Sequence, residues 1–167
     1  MLKKIVLAAI LALPLSVMAQ TKFGHMNSQE VITAMPEYTK AQTDLDAMAK
    51  QYQEEMQRTQ EEFNKKYQEF LAQADSLPRN IAERRQKELQ DMDQRQQQFQ
   101  QEVYQSMQKA QQDALTPIYQ KLETAIQAVG KAEGVIYIFD IARTPVAYIG
   151  AESVDLTAKV KAQLGIK

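Results

Sequence analysis

The sequence predicts an α+β chain, predominantly α, in which a long antiparallel helical hairpin stands on a small β-containing body. Two observations carry that fold class. Pro36, Pro78 and Pro117 divide the middle of the chain into two stretches of nearly equal length, 37–77 and 79–116, almost free of glycine and further proline. Proline inside a helix removes a hydrogen bond and clashes with the preceding turn, so the pattern reads as helix, sharp turn, helix back. The second observation is Val135-Ile136-Tyr137-Ile138-Phe139, a β-branched and aromatic run between glycines and a turn, which reads as a strand.

Taken in order, residues 1–19 read as an export signal. Lys3 and Lys4 give a basic start, residues 5–15 an apolar stretch, and Val17-Met18-Ala19 a cleavage site after Ala19. The apolar stretch is shorter than the ~20 residues that span a bilayer. The chain contains no cysteine, hence no disulfide framework and no lipidated N-terminal cysteine. Together these features place the expected product in a bacterial periplasm. Loss of two lysines takes the formal net charge from −1 to −3, which argues against general nucleic-acid binding.

The body is expected from both chain ends, residues 20–36 and 118–167. A first strand is predicted near 22–26. Asn27-Ser28 then cap a short helix that Met35-Pro36 ends. The arm follows over 37–117, each half roughly 60 Å long at 1.5 Å per residue. Its first half carries a stripe at Leu45, Met48, Tyr52, Met56, Thr59, Phe63, Tyr67, Phe70, Ala74 and Leu77. The steps are threes and fours with an eleven-residue repeat from Leu45 to Tyr67, a period that favours straight or slightly right-handed winding. The returning half carries Leu89, Met92, Gln96, Phe99, Val103, Met107, Ala110, Ala114, Ile118 and Leu122. Residues 75–80 form the tip.

The seam is rich in Met, Phe and Tyr and poor in Leu and Ile, a pliable composition. Leu71, Tyr104, Leu115 and Tyr119 lie off the stripe and are the candidate contacts for a bound chain. Arg79, Arg84, Arg85 and Lys87 make a basic cluster at the tip, suited to acidic segments or phosphate-bearing lipid head groups. The glutamine-dense returning half keeps helical apolar spacing and reads as a solvated face.

Pro117 sits in a pattern that continues through Ile118, Leu122, Ile126 and Val129, so it is expected to kink the helix without ending it. Folding about residues 78–79 sets position 117 opposite position 40. Pro36 and Pro117 are therefore the hinge candidates, level with each other where arm meets body. Strands near 135–140 and 145–149 and a terminal helix over 156–164, capped by Asp155, complete the chain. So few strands leave too little core. Other copies of the chain are expected to supply the rest, through strand residues Val135, Tyr137, Phe139, Val146 and Tyr148.

No catalytic constellation appears. His25 is the one histidine, no glycine-rich phosphate loop or nucleophile elbow occurs, and the arm carboxylates alternate with Lys and Arg. No enzyme activity, metal or cofactor is expected.

The order of elements, with Asp140 ending a strand, Val146-Ala147-Tyr148, and Val154-Asp155-Leu156-Thr157 before a Val-Lys helix, resembles the Skp/OmpH family of periplasmic chaperones. The resemblance implies a homotrimer joined through the strands of its bodies. Three hairpins would hold unfolded outer-membrane proteins in a cavity without ATP, before membrane assembly. Members of that family are strongly basic, whereas this chain is slightly acidic, which leaves the tip cluster for contacts with anions. The other reading of the same features is a structural or adaptor coiled coil of the cell envelope, which would hold one folded partner at a fixed site.

Overall fold

The computed structural model describes residues 22–166; the expected export signal lies outside them. The elements run β1 (Phe23–Met26), α1 (Ser28–Thr33), α2 (Pro36–Gln73), α3 (Arg79–Glu133), β2 (Tyr137–Asp140), β3 (Val154–Asp155) and α4 (Thr157–Gln163).

Strand β1 is central. It pairs in parallel with β2, Phe23 opposite Tyr137 and Met26 opposite Asp140, and in parallel with β3, Gly24 opposite Val154. Alternation turns Gly24 and Met26 inward and Phe23 and His25 outward. The inward side meets Val31 and Ile32 of α1, Leu122, Ala125 and Val129 of α3, and Leu156 and Val160 at α4. Gly24 permits the closest contact of this layer: a Cβ there would stand 2.7 Å from Leu156 Cδ1.

Side-chain caps tie the pieces together. Asn27 Oδ1 accepts from the Glu30 N–H at 3.0 Å, while its own N–H donates to Thr157 Oγ1 at 3.1 Å. Asp140 Oδ1 accepts from the Ser28 N–H at 3.1 Å. Asp155 Oδ1 accepts from the Thr157 N–H at 2.9 Å, the first free donor of α4.

Helices α2 and α3 form the hairpin. Pro36 is accommodated in the first turn of α2, where no N–H is needed, and Pro78 immediately precedes α3. Helix α3 runs unbroken through Pro117 into the body. Met35, Ala41 and Ile118 form a second buried cluster at the arm base, and Lys121 pairs with Glu37 beside it. Helix α3 ends at Gly134, in the left-handed region at φ 65°. There the Val135 N–H reaches Gly130 O at 3.3 Å and the Gly134 N–H reaches Lys131 O at 3.4 Å. This is a Schellman closure.

Two expectations about strands are corrected. Residues 145–149 form no strand: both sides of β1 are taken, by β2 and by β3, which the sequence reading missed. The Pro145-to-Ile149 segment is left as exposed coil, so Val146 and Tyr148 are loop residues in the single chain. Val135 also lies outside a strand, because the helix closure claims its N–H and the core takes its side chain. β2 begins at Tyr137.

Candidate functional surfaces

The seam between the arms is half-buried along its length. Tyr52 meets Phe99 edge to face, with ring centroids 6.1 Å apart. All ten residues of the returning stripe are buried or half-buried, as their spacing requires. The outgoing stripe departs at Tyr67 and at Ala74. Tyr67 is exposed and stacks on Phe63 at 6.1 Å. Lys66, three residues after Phe63, takes the seam position and pairs with Glu88 of α3. A lysine stem can line a seam while its head stays polar; the aromatic ring at the next position masked that choice in the sequence. Ala74 lies beyond the end of α2 and is exposed.

The same stretch of seam is polar on both helices. Gln96 Nε2 donates to Gln60 Oε1 at 2.7 Å. A cleft of about 340 Å³ opens there between the arms, with Glu62, Lys66, Glu88 and Arg95 among its walls. The Lys66 ammonium holds Glu88 below the usual carboxylate range, first by hydrogen bond and then by charge, and Glu88 raises Lys66 in turn.

The four candidate contact residues are not brought together. Leu71 is exposed near the tip and Tyr104 is exposed midway along α3. Tyr104 borders a shallow groove of about 350 Å³ with Leu45, Ala49 and Met107. Tyr119 is exposed beside Ile32, Leu122 and Ile126 at the body. Leu115 differs: it packs against the Met35–Ala41–Ile118 cluster and is a core residue of the arm base. At the tip, Arg79 is paired with Glu83 at 2.9 Å, Arg85 is half-buried beside the Lys66–Glu88 pair, and Arg84 and Lys87 are exposed.

The outward side of the sheet gathers several exposed aromatic residues. Phe23 stacks on Tyr137 at 6.3 Å and lies against Phe139 at 6.4 Å. Val146, Tyr148 and Ile149 of the facing coil extend the patch, and Tyr148 is 83% exposed. A groove of about 630 Å³ separates the sheet from the 144–150 coil. Parallel sheets are ordinarily covered on both faces; here, among the described residues, one face is bare in the single chain.

His25 lies in that groove with Nδ1 2.8 Å from Ser153 Oγ. This contact does not build an acyl-transfer site. The Ser153 N–H is donated to Gly150 O at 3.0 Å and is unavailable to an oxyanion. The Asp155 carboxylate, which would orient the ring, is bound by the Thr157 N–H, and Thr157 holds it below its ordinary range. Among the described residues, no group of three or more His, Asp or Glu could hold a metal, and no helix is long and apolar enough to cross a membrane.

A paired-helix arm without its own compact core, mounted on a small parallel sheet with one bare face, defines a class of long-armed helical-hairpin proteins. The chain belongs to the family described as "Outer membrane protein (OmpH-like)", whose pattern matches residues 22–164. Among solved structures it is similar to a protein of Caulobacter crescentus CB15 described as an "outer membrane chaperone (OmpH-like)". The TM-score is 0.72 at 20% identity, covering 87% of this chain and 85% of the other. The match shows a shared fold. No curated protein matches the chain.

Proposed function

We propose that this chain is an ATP-independent periplasmic holdase, exported by cleavage after Ala19, that keeps unfolded outer-membrane proteins soluble for membrane assembly. The observation that carries the reading is the arm. Helix α2 is 38 residues, about 57 Å long, and runs against α3 with a Met- and aromatic-rich seam and a glutamine-rich outer surface. Such a surface offers many weak, adaptable contacts, which suit clients of varied sequence. Family membership and the name of the Caulobacter relative support a chaperone role.

The bare sheet face supports assembly into a homotrimer, with Phe23, Tyr137 and Phe139 covered by neighbouring copies. In that arrangement Val146 and Tyr148 act from the exposed 145–149 coil. Three arms on one body raise the effective concentration of contacts around a held chain. The clients are the apolar and aromatic segments of unfolded barrels, met by Leu71, Tyr104 and Tyr119. Arg84 and Lys87 supply the tip's contact with acidic segments or lipid head groups.

The test is dilution of a urea-denatured β-barrel protein into buffer with a stoichiometric amount of the assembled chaperone. Turbidity should stay near baseline. Aggregation at the rate seen in buffer alone would rule the holdase out.

A further inference from the structure

We infer that His25 makes the assembly of this protein pH-sensitive, with protonation of the ring opposing closure of the body interface. The inference rests on the reading of the bare sheet face as the surface that copies of the chain cover.

His25 is the single histidine of the chain. It stands on the outward side of the central strand, between Phe23 and the 144–150 coil, in the 630 Å³ groove. Phe139 of β2 is its partner across one ladder and Asp155 of β3 across the other. With Nδ1 unprotonated, the ring accepts from the Ser153 hydroxyl, 2.8 Å away. The neutral ring then has one donor left to satisfy, a modest demand for a covered interface.

The imidazolium makes a larger demand. Its Nδ1–H forces Ser153 to turn its hydroxyl and accept, and a full charge must leave water when a second copy closes the groove. The groove wall is otherwise Phe23, Phe139 and the Pro145–Ile149 coil. The charged groups on this side are two carboxylates. Asp155 is committed to the start of α4 by the N–H and hydroxyl of Thr157. Glu152 lines the groove from an exposed turn. Tyr148 is the remaining titratable group there. Asp140 of β2 faces the other way, toward Ser28. Among the described residues no lysine or arginine lines the groove. Covering the face removes the water around the ring, and the proton and the interface compete for it.

An unperturbed histidine changes charge between pH 5 and 8. By linkage, association should weaken by up to about tenfold per protomer for each pH unit below the point at which the uncovered ring takes up its proton. The experiment is sedimentation velocity of the purified protein over a concentration series at pH 7.5, 6.5 and 5.5, beside His25→Gln. The expected result is an oligomer at pH 7.5 that dissociates progressively toward pH 5.5, while the glutamine variant remains assembled at all three. A wild-type oligomer unaffected by pH overturns the inference and leaves the oligomer intact as a reading. A monomer at pH 7.5 overturns the oligomer reading itself. Parallel dissociation of both proteins assigns the effect to carboxylates and overturns the role of His25. Should the variant not fold, the single imidazole Cε1–H resonance of the wild type decides: it must titrate in dilute, dissociated samples and resist titration in concentrated ones.

Discussion

Lys66 and Glu88 place an ion pair inside a seam whose other positions are mostly apolar. A polar pair at a seam position costs stability yet fixes which residues face each other. The seam needs such a device, since Met, Ala and aromatic side chains tolerate several registers. Glu88 is held below its ordinary range by Lys66, so its contribution is complete above the unfolded carboxylate value. That contribution is lost as pH falls through the lower folded one. Arm melting followed by circular dichroism should therefore drop as pH falls below about 5, and Glu88→Gln should remove part of that dependence. Replacing both partners by leucine should raise the melting temperature and broaden the register, read as a wider distance distribution between spin labels on the two arms.

Two other residues have predictable costs. Gly24→Val would drive a branched side chain into Leu156, where even a Cβ is too close. We expect a loss of about 1–3 kcal/mol, measured as a lower urea midpoint with unchanged slope. Asn27→Ala removes the acceptor for the Glu30 N–H and should cost about 1 kcal/mol by the same measurement.

At the scale of elements, the hairpin was legible because two signals agreed: proline punctuation and three-and-four spacing. Pro36 stands in the first turn of α2, Pro78 just before α3 and Pro117 inside α3, and Met35, Ala41 and Ile118 meet at the base. The sheet was less legible. Pro145 to Ile149 has stronger strand composition than Val154-Asp155, yet the weaker pair is the one beside β1. The decisive fact is tertiary. Asp155 reaches Thr157, and Leu156 must enter the core under Gly24. Neither demand shows as periodicity. The composition of Val135 suits a strand, and a Schellman closure is recognised by its hydrogen bonds, not by the residue after the glycine.

Pro117 has no N–H to offer the Asp113 carbonyl, so α3 lacks one backbone bond there, immediately above the packed base. Pro117→Ala restores that bond. Arm-tip distances between protomers, measured by pulsed spin labelling, should narrow, and the range of clients held should shrink. Unchanged distances would deny Pro117 the role of a hinge.

At the scale of the whole molecule, body and arm are assigned separate tasks. The body carries the buried clusters and the bare aromatic sheet face; the arm has a half-buried seam and a solvated surface. Deletion of residues 41–114 should therefore leave an oligomer that no longer prevents client aggregation. A monomeric deletion product by light scattering would contradict assembly through the body.

The central claim joins both tasks: copies of this chain assemble through the sheet face and together hold one unfolded barrel. It is tested most directly by native mass measurement in solution at neutral pH, with and without a denatured β-barrel protein. The expected masses are those of three chains alone and of three chains plus one client. A monomer, or a trimer whose mass is unchanged by the client, would contradict the account.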